Sequence, residues 1–195
     1  MPTKVAIGCV WAVGLILLLA VFGRRGYEIF KDIPVLSRLS ISLKGQLAGM
    51  SNSKSCRTAV NALKNLRGRQ LKDVPAENIL ITCAKDGWYK KGNVNVAGPF
   101  ASGSKLFQRA NWVAKITKGA NDYAHCSHLI YLYDQYMNPY VARWLEDNSR
   151  AFDDAYALTE LIQWVWRSRV RKGQPITLYL PSPRMRQLME EWLSS

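Results

Sequence analysis

Apolar residues are distributed along this chain in three ways, and each predicts a different element. Residues 5–22 (VAIGCVWAVGLILLLAVF) form a run without a single charge. As a helix rising about 1.5 Å per residue, the run reaches roughly 27 Å, close to the hydrocarbon thickness of a bilayer. Short apolar runs at 78–84 (NILITCA), 127–134 (SHLIYLYD) and 176–180, with a further one over 112–117, are bounded by turn residues and predict strands. Helical spacing of apolar residues marks 55–66, 140–145, 153–170 and 184–193.

Alternation of strands with helices predicts an α/β fold, a mainly parallel sheet with flanking helices. The expected order is a membrane anchor over 1–25, a basic juxtamembrane connector with one helix over 26–72, and an α/β domain over 73–195. Residues 87–105, rich in Gly and Ser with scattered aromatics, read as a long exposed loop. The strongest helix, 153–170, opens on Asp153 and Asp154 near its positive end and closes at Lys172-Gly173.

Charge sharpens this picture. The formal net charge is +13, and residues 24–72 hold eleven Lys and Arg against two acids. Arg24, Arg25, Lys31 and Arg38 follow the apolar run and only Lys4 precedes it, so a single-pass protein with its carboxy-terminal body in the cytoplasm is expected. A cleaved signal peptide is the competing reading, but no clean small-residue cleavage site precedes Arg24. Such a basic stretch attracts anionic headgroups and nucleic-acid phosphates alike. The four cysteines are widely spaced with no C-x-x-C pair, which excludes a disulfide framework as the organising principle. A hydrophobic fraction of 48% excludes a disordered chain.

Within the strongest helix, Gln163, Arg167 and Arg171 stand at i, i+4 and i+8, one stripe of multi-donor side chains opposite Leu158, Leu161, Ile162 and Val165. The planar guanidinium fork binds phosphate oxygens in pairs and stays charged. A solvated basic face with an Arg pairing Glu160 would look the same in sequence. His125, Cys126 and His128 lie close together but leave a tetrahedral metal site incomplete, so a turn into the next strand is expected and no metal. Trp164, Trp166 and Trp192 read as core residues before base-stacking ones.

From residue 78 onwards the order of these segments resembles the second RecA-like lobe of superfamily 2 helicases of phage and mobile-element type. ILITCAKDG resembles the strand and turn that open that lobe, and ITKGANDYAHCSHLIYLYDQ its nucleic-acid-contacting loop, with Lys118, Gly119, Asn121 and Asp122 at the matching places. ELIQWVWRSRVRKGQPITLYLPSPRMR resembles the last family motif, in which Gln and Arg residues approach the nucleotide. The resemblance implies that Gln163, Arg167 and Arg171 are the arginine-finger group. Trp166 replaces the motif's Gly, which leaves the finger open between Arg167, Arg169 and Arg171. The resemblance implies that Arg184 and Arg186 line the nucleic-acid or lobe-facing surface; snorkelling surface residues would look the same in sequence.

No G-x-x-x-x-G-K-S/T loop occurs; the nearest string, Gly98 to Lys105, has its Ser and Lys in swapped order. An Mg-binding acidic box is missing too. The chain is therefore expected to be silent as an ATPase on its own and to hold no cofactor, with ATP and Mg entering only if a partner lobe completes the site. The expected function is a membrane-tethered, helicase-lobe-like protein that binds nucleic acid or a partner ATPase through a basic face. The alternative is a structural or interaction protein of a virus or mobile element that uses its basic linker on lipid or a partner.

Overall fold

A computed structural model of the chain describes residues 54–102, 104–115, 117, 122–146 and 149–194. The expected membrane span and most of the basic connector lie outside these residues. Among the described residues no helix is long and apolar enough to cross a membrane.

The body opens with helix α1, Lys54–Arg69. Its Leu63 and Leu66 are buried against sheet residues Ile79 and Ile81, so α1 belongs to the α/β core and the body begins before the expected boundary at residue 73. Strand β1, Ile79–Thr82, follows and is buried throughout. A one-turn helix α2, Lys85–Trp88, leads into an antiparallel hairpin of β2, Tyr89–Lys90, and β3, Asn93–Ala97. Then come β4, Asn111–Trp112, and β5, His128–Tyr131. Helices α3, Pro139–Trp144, and α4, Arg150–Val165, precede β6, Thr177–Tyr179, and α5, Pro183–Ser194.

The main sheet runs β4-β1-β5-β6 with every neighbour parallel. Strand residues alternate between two cores, as the pleat requires. Leu80, Leu129, Tyr131 and Leu178 face α4 and α5, while Ile79, Ile81, Ile130 and Tyr179 face α1 and the β1–β4 crossover. Near-continuous apolar strands covered on both sides are what a parallel sheet demands. Leaving β1, the chain crosses one way to β4 on the α1 face; leaving β5, it crosses the other way to β6 through α4 on the opposite face. The sheet is therefore doubly wound.

Three expectations change. Residues 87–105 do not form an exposed loop: Gly87, Trp88, Gly98, Phe100, Ala101 and Ser104 are buried, because Trp88 and Phe100 carry the apolar surface that a crossover helix would otherwise supply. The strand expected over 112–117 shrinks to Asn111–Trp112. Val113 N adds one ladder bond to Ile81 O, and Thr117 N then turns back onto Ala114 O.

The helix expected over 153–170 runs instead from Arg150 to Val165, capped by Ser149, whose side chain accepts from Phe152 N. Ser168 ends the helical run by donating to Val165 O at 2.7 Å and accepting from Val170 N, which starts a separate 3-10 turn over Arg169–Lys172. Gly173 closes that turn at φ 70°, a left-handed conformation suited to glycine.

Candidate functional site

Because all four main strands are parallel, their carboxyl ends share one edge, and the chain leaves β1 and β5 in opposite directions, the switch point at which open sheets of this kind hold their ligands. Three chain segments meet at that edge: the residues after β4, the residues after β5, and the α4–α5 layer. Lys115, beyond β4, donates from Nζ to the Oε1 of buried Gln135 and lies 5.0 Å from the Tyr133 ring centroid. Gln135 in turn donates to Tyr136 O at 3.0 Å and hydrogen-bonds the Tyr156 side chain of α4. Burial holds the Lys115 ammonium below its ordinary range, with Glu160 opposing the shift. Burial also pushes the Tyr131 and Tyr133 phenols well up.

Arg167 is only 9% exposed and donates from Nη1 to Lys115 O at 3.3 Å. Its guanidinium therefore turns inward, joining the turn after α4 to the segment after β4, and does not project as a finger. Gln163 is exposed on α4, and Arg171 is exposed on the 3-10 turn beyond the Ser168 break. The expected single stripe of Gln163, Arg167 and Arg171 is thus corrected: a helical i+4 spacing holds only while the helix continues, and this helix stops at Val165.

Arg184 is the hub of the same edge. Its Nη2 lies 2.7 Å from Asp153 and 2.6 Å from Asp154, and Nη1 lies 3.7 Å from Asp134 and donates to Gln135 O. The guanidinium also stands 4.3 Å from the Tyr136 ring centroid. Ser182 adds a bond to Asp134 at 3.1 Å, and Asp153 accepts from Met137 N at 2.6 Å. Expected as a nucleic-acid contact, Arg184 instead ties the first turns of α4 and α5 to the loop after β5. Arg186 is half-buried and donates to Leu180 O at 3.4 Å. Of the expected loop residues, Asp122 is exposed, whereas Lys118, Gly119 and Asn121 lie outside the described residues.

At the opposite, amino edge of the sheet, Asn111 Nδ2 donates to Glu77 O at 2.5 Å and contacts Ile79 O and Cys126 Sγ at 3.4 Å. His125 Nε2 reaches the same Glu77 carbonyl at 3.0 Å, and Ser127 Oγ bonds His128 Nδ1 at 2.9 Å. His125 and Cys126 thus clasp the Glu77 carbonyl while His128 bonds its neighbour's hydroxyl, and no cluster of metal-ligating side chains occurs among the described residues. Burial pushes the thiols of Cys83 and Cys126 up to about 12 and about 11, which makes both poor nucleophiles near neutrality. Trp164 is fully buried, and Trp166 and Trp192 are packed against the same core.

His128 has a pH consequence. Burial and then the nearby Arg169 hold its imidazole below the usual 6.5, so the unfolded chain takes up a proton that the folded chain refuses. Stability is full above about 6.5 and falls as pH drops through the window below it. Urea unfolding of wild type against His128→Gln at pH 7.5 and pH 5 should show the wild type losing more on acidification; parallel losses would exclude the effect.

A second surface was not singled out from the sequence. Lys85, Lys90, Lys91, Lys105 and Arg109 of the β1–β4 crossover are all exposed, against one acid there, Asp86. They share a neighbourhood, because the Tyr89 ring meets Phe107 at 6.0 Å and Trp112 at 5.2 Å, which brings the 105–109 segment beside β2. Exposed Asn93, Val94, Asn95 and Val96 continue the face along β3. The alternation in YKKGNVNVA around Lys91-Gly92 was the available hairpin signal. Of the Gly98–Lys105 string, Gly98, Phe100, Ala101 and Ser104 are buried in this crossover, with Ser104 Oγ donating to Ala101 O at 2.8 Å.

Comparison with known proteins agrees with the doubly wound sheet. The family model described as the YonV C-terminal Rossmann-like domain matches residues 29–193. Over 79 residues the chain is 39% identical to the SPbeta prophage-derived uncharacterized protein YonV of Bacillus subtilis (strain 168). That alignment covers 40% of this chain and 19% of the relative, so the match spans less than a fifth of the longer protein. No solved structure matches.

Proposed function

Since the chain belongs to the YonV C-terminal Rossmann-like family, we propose that it is a nucleic-acid-binding domain of a phage or mobile element, tethered to the cytoplasmic side of a membrane by residues 5–22. In this reading it works as a counterpart of a helicase second lobe and relies on a partner ATPase for any nucleotide hydrolysis. The observation that carries the proposal is the crossover face: five exposed cations against one acid, interleaved with the half-buried aromatics Tyr89, Phe107 and Trp112. Cations neutralise phosphates while aromatic faces stack on bases, a combination suited to single strands. The prophage relative supports the setting, and the net charge of +13 supports an anionic partner.

Contact with the partner falls to Gln163 and Arg171 in this proposal, because both are exposed whereas Arg167 faces inward. The test is fluorescence anisotropy of the full-length chain in mild detergent with single-stranded DNA, duplex DNA and RNA across a salt series. Binding should weaken steeply with salt. The Lys90→Ala/Lys91→Ala/Lys105→Ala variant should flatten the slope of log affinity against log salt by about three. No binding at low salt, or an unchanged slope in the variant, would refute this face. Binding of that variant to anionic vesicles but of neither protein to nucleic acid would favour a lipid-directed interaction protein instead.

A further inference from the structure

Four buried side-chain polar atoms have no hydrogen-bonding partner among the described residues: Arg186 Nε on α5, and three that lie close together beneath α4, Thr82 Oγ1, Tyr131 OH and Trp164 Nε1. All three residues are 0% exposed. They are also neighbours. Thr82 and Tyr131 are register partners at the carboxyl ends of β1 and β5 and face the same way by the pleat, and the Tyr131 ring meets that of Trp164 at 5.3 Å. One orphaned donor in a core is an ordinary imperfection, but three on adjoining residues of a strand, its neighbour and the covering helix form a pattern.

Charge completes it. Arg167 and Glu160 both act electrostatically on Tyr131, and Glu160 acts on Lys115 and Arg167 as well. Lys115 stands further along the same face, beside Tyr133 and Gln135, with its carbonyl held by Arg167. The cluster therefore offers two cations, one carboxylate, two hydroxyls and an indole N–H that can only donate. Two cations outnumber the one carboxylate and the indole can only donate, so the set favours an acceptor ligand over a cation. Cys83-Ala84-Lys85, not a glycine-rich turn, follows β1, so the site differs from a dinucleotide cradle.

We propose that this cluster binds a small oxyanion of the phosphate or carboxylate class between α4 and the carboxyl ends of β1 and β5. Lys115 and Arg167 supply charge, and Thr82, Tyr131 and Trp164 supply directed donors. The site is separate from the crossover face, since Thr82 and Tyr131 point to the opposite side of the sheet from Trp88 and Phe100.

Thermal denaturation and Trp fluorescence of the full-length chain, titrated with inorganic phosphate, acetate or chloride at equal ionic strength, test it. Phosphate or acetate should raise the melting temperature saturably and chloride should not; whichever acts identifies the class. Tyr131→Phe and Thr82→Val should each weaken that binding about tenfold while leaving the ligand-free protein as stable as wild type or more so, because each removes a buried hydroxyl that lacks a partner. The Lys90/Lys91/Lys105 alanine variant should keep wild-type oxyanion affinity, which separates this site from the nucleic-acid face. The site is overturned by no saturable response to either oxyanion, by both hydroxyl variants binding as wild type, or by Tyr131→Phe lowering ligand-free stability.

Discussion

Replacing Arg184 by alanine is expected to lower the melting temperature by roughly 10 °C, the equivalent of about 3 kcal/mol for a chain of this length. The reason lies in what remains after truncation. Asp153, Asp154 and Asp134 converge on one guanidinium whose side chain is 16% exposed, and removing it leaves three carboxylates facing one another in a partly dehydrated setting. The loss of the fork also frees Gln135 O and unpins the first turn of α5 from the first turn of α4. Arg184→Lys should recover part of the deficit, since an ammonium restores charge without reaching two carboxylates and a carbonyl at once. Differential scanning calorimetry checks both; an alanine variant melting within 2–3 °C of wild type, about 1 kcal/mol, would mean that solvent already screens the cluster.

The second large effect is expected at Gly98. A Cβ there would stand 2.7 Å from both Gly87 O and Tyr89 O, backbone atoms that cannot swing aside. Gly98→Ala should cost about 2–3 kcal/mol in urea unfolding. It should also weaken nucleic-acid binding, because Gly98 N anchors the hairpin base through Trp88 O at 2.8 Å. Gly68 provides the control of opposite sign. It sits in α1 with nothing within 4 Å of a built Cβ, so Gly68→Ala should stabilise by about 0.5–1 kcal/mol. Equal effects at the two glycines would refute the steric account.

Periodicity alone located the structural frame well. The apolar runs around Leu80, Leu129 and Leu178 became the three long strands of the sheet, and the 3.6-residue spacing through Leu161 and Val165 became the helix that covers them. What periodicity missed was decided by single atoms or distant partners. The Ser168 hydroxyl ends α4 although the i+4 rhythm of Gln163, Arg167 and Arg171 continues past it. Arg184 has no local sequence mark of its fate, because its carboxylates come from residues 30 to 50 positions away. The glycines of the β1–β4 crossover read as loop, although Gly98 lets its backbone press against the Gly87 and Tyr89 carbonyls and Gly87 leaves room for the Phe100 ring. The orphaned donors could not be read at all: Thr82 and Tyr131 look like ordinary strand residues until their register places them side by side.

The order in which the strands occur along the chain sets how the molecule must fold. Ile79 pairs with His128 and His128 with Thr177, so each of these ladders joins positions forty-nine residues apart. No hairpin contributes to the main sheet, and the edge strand β6 is the last of its four strands along the sequence. Long loop closure must precede every central ladder bond, which makes assembly slow for its size and exposes the Ile79–Thr82 segment until the later strands come in.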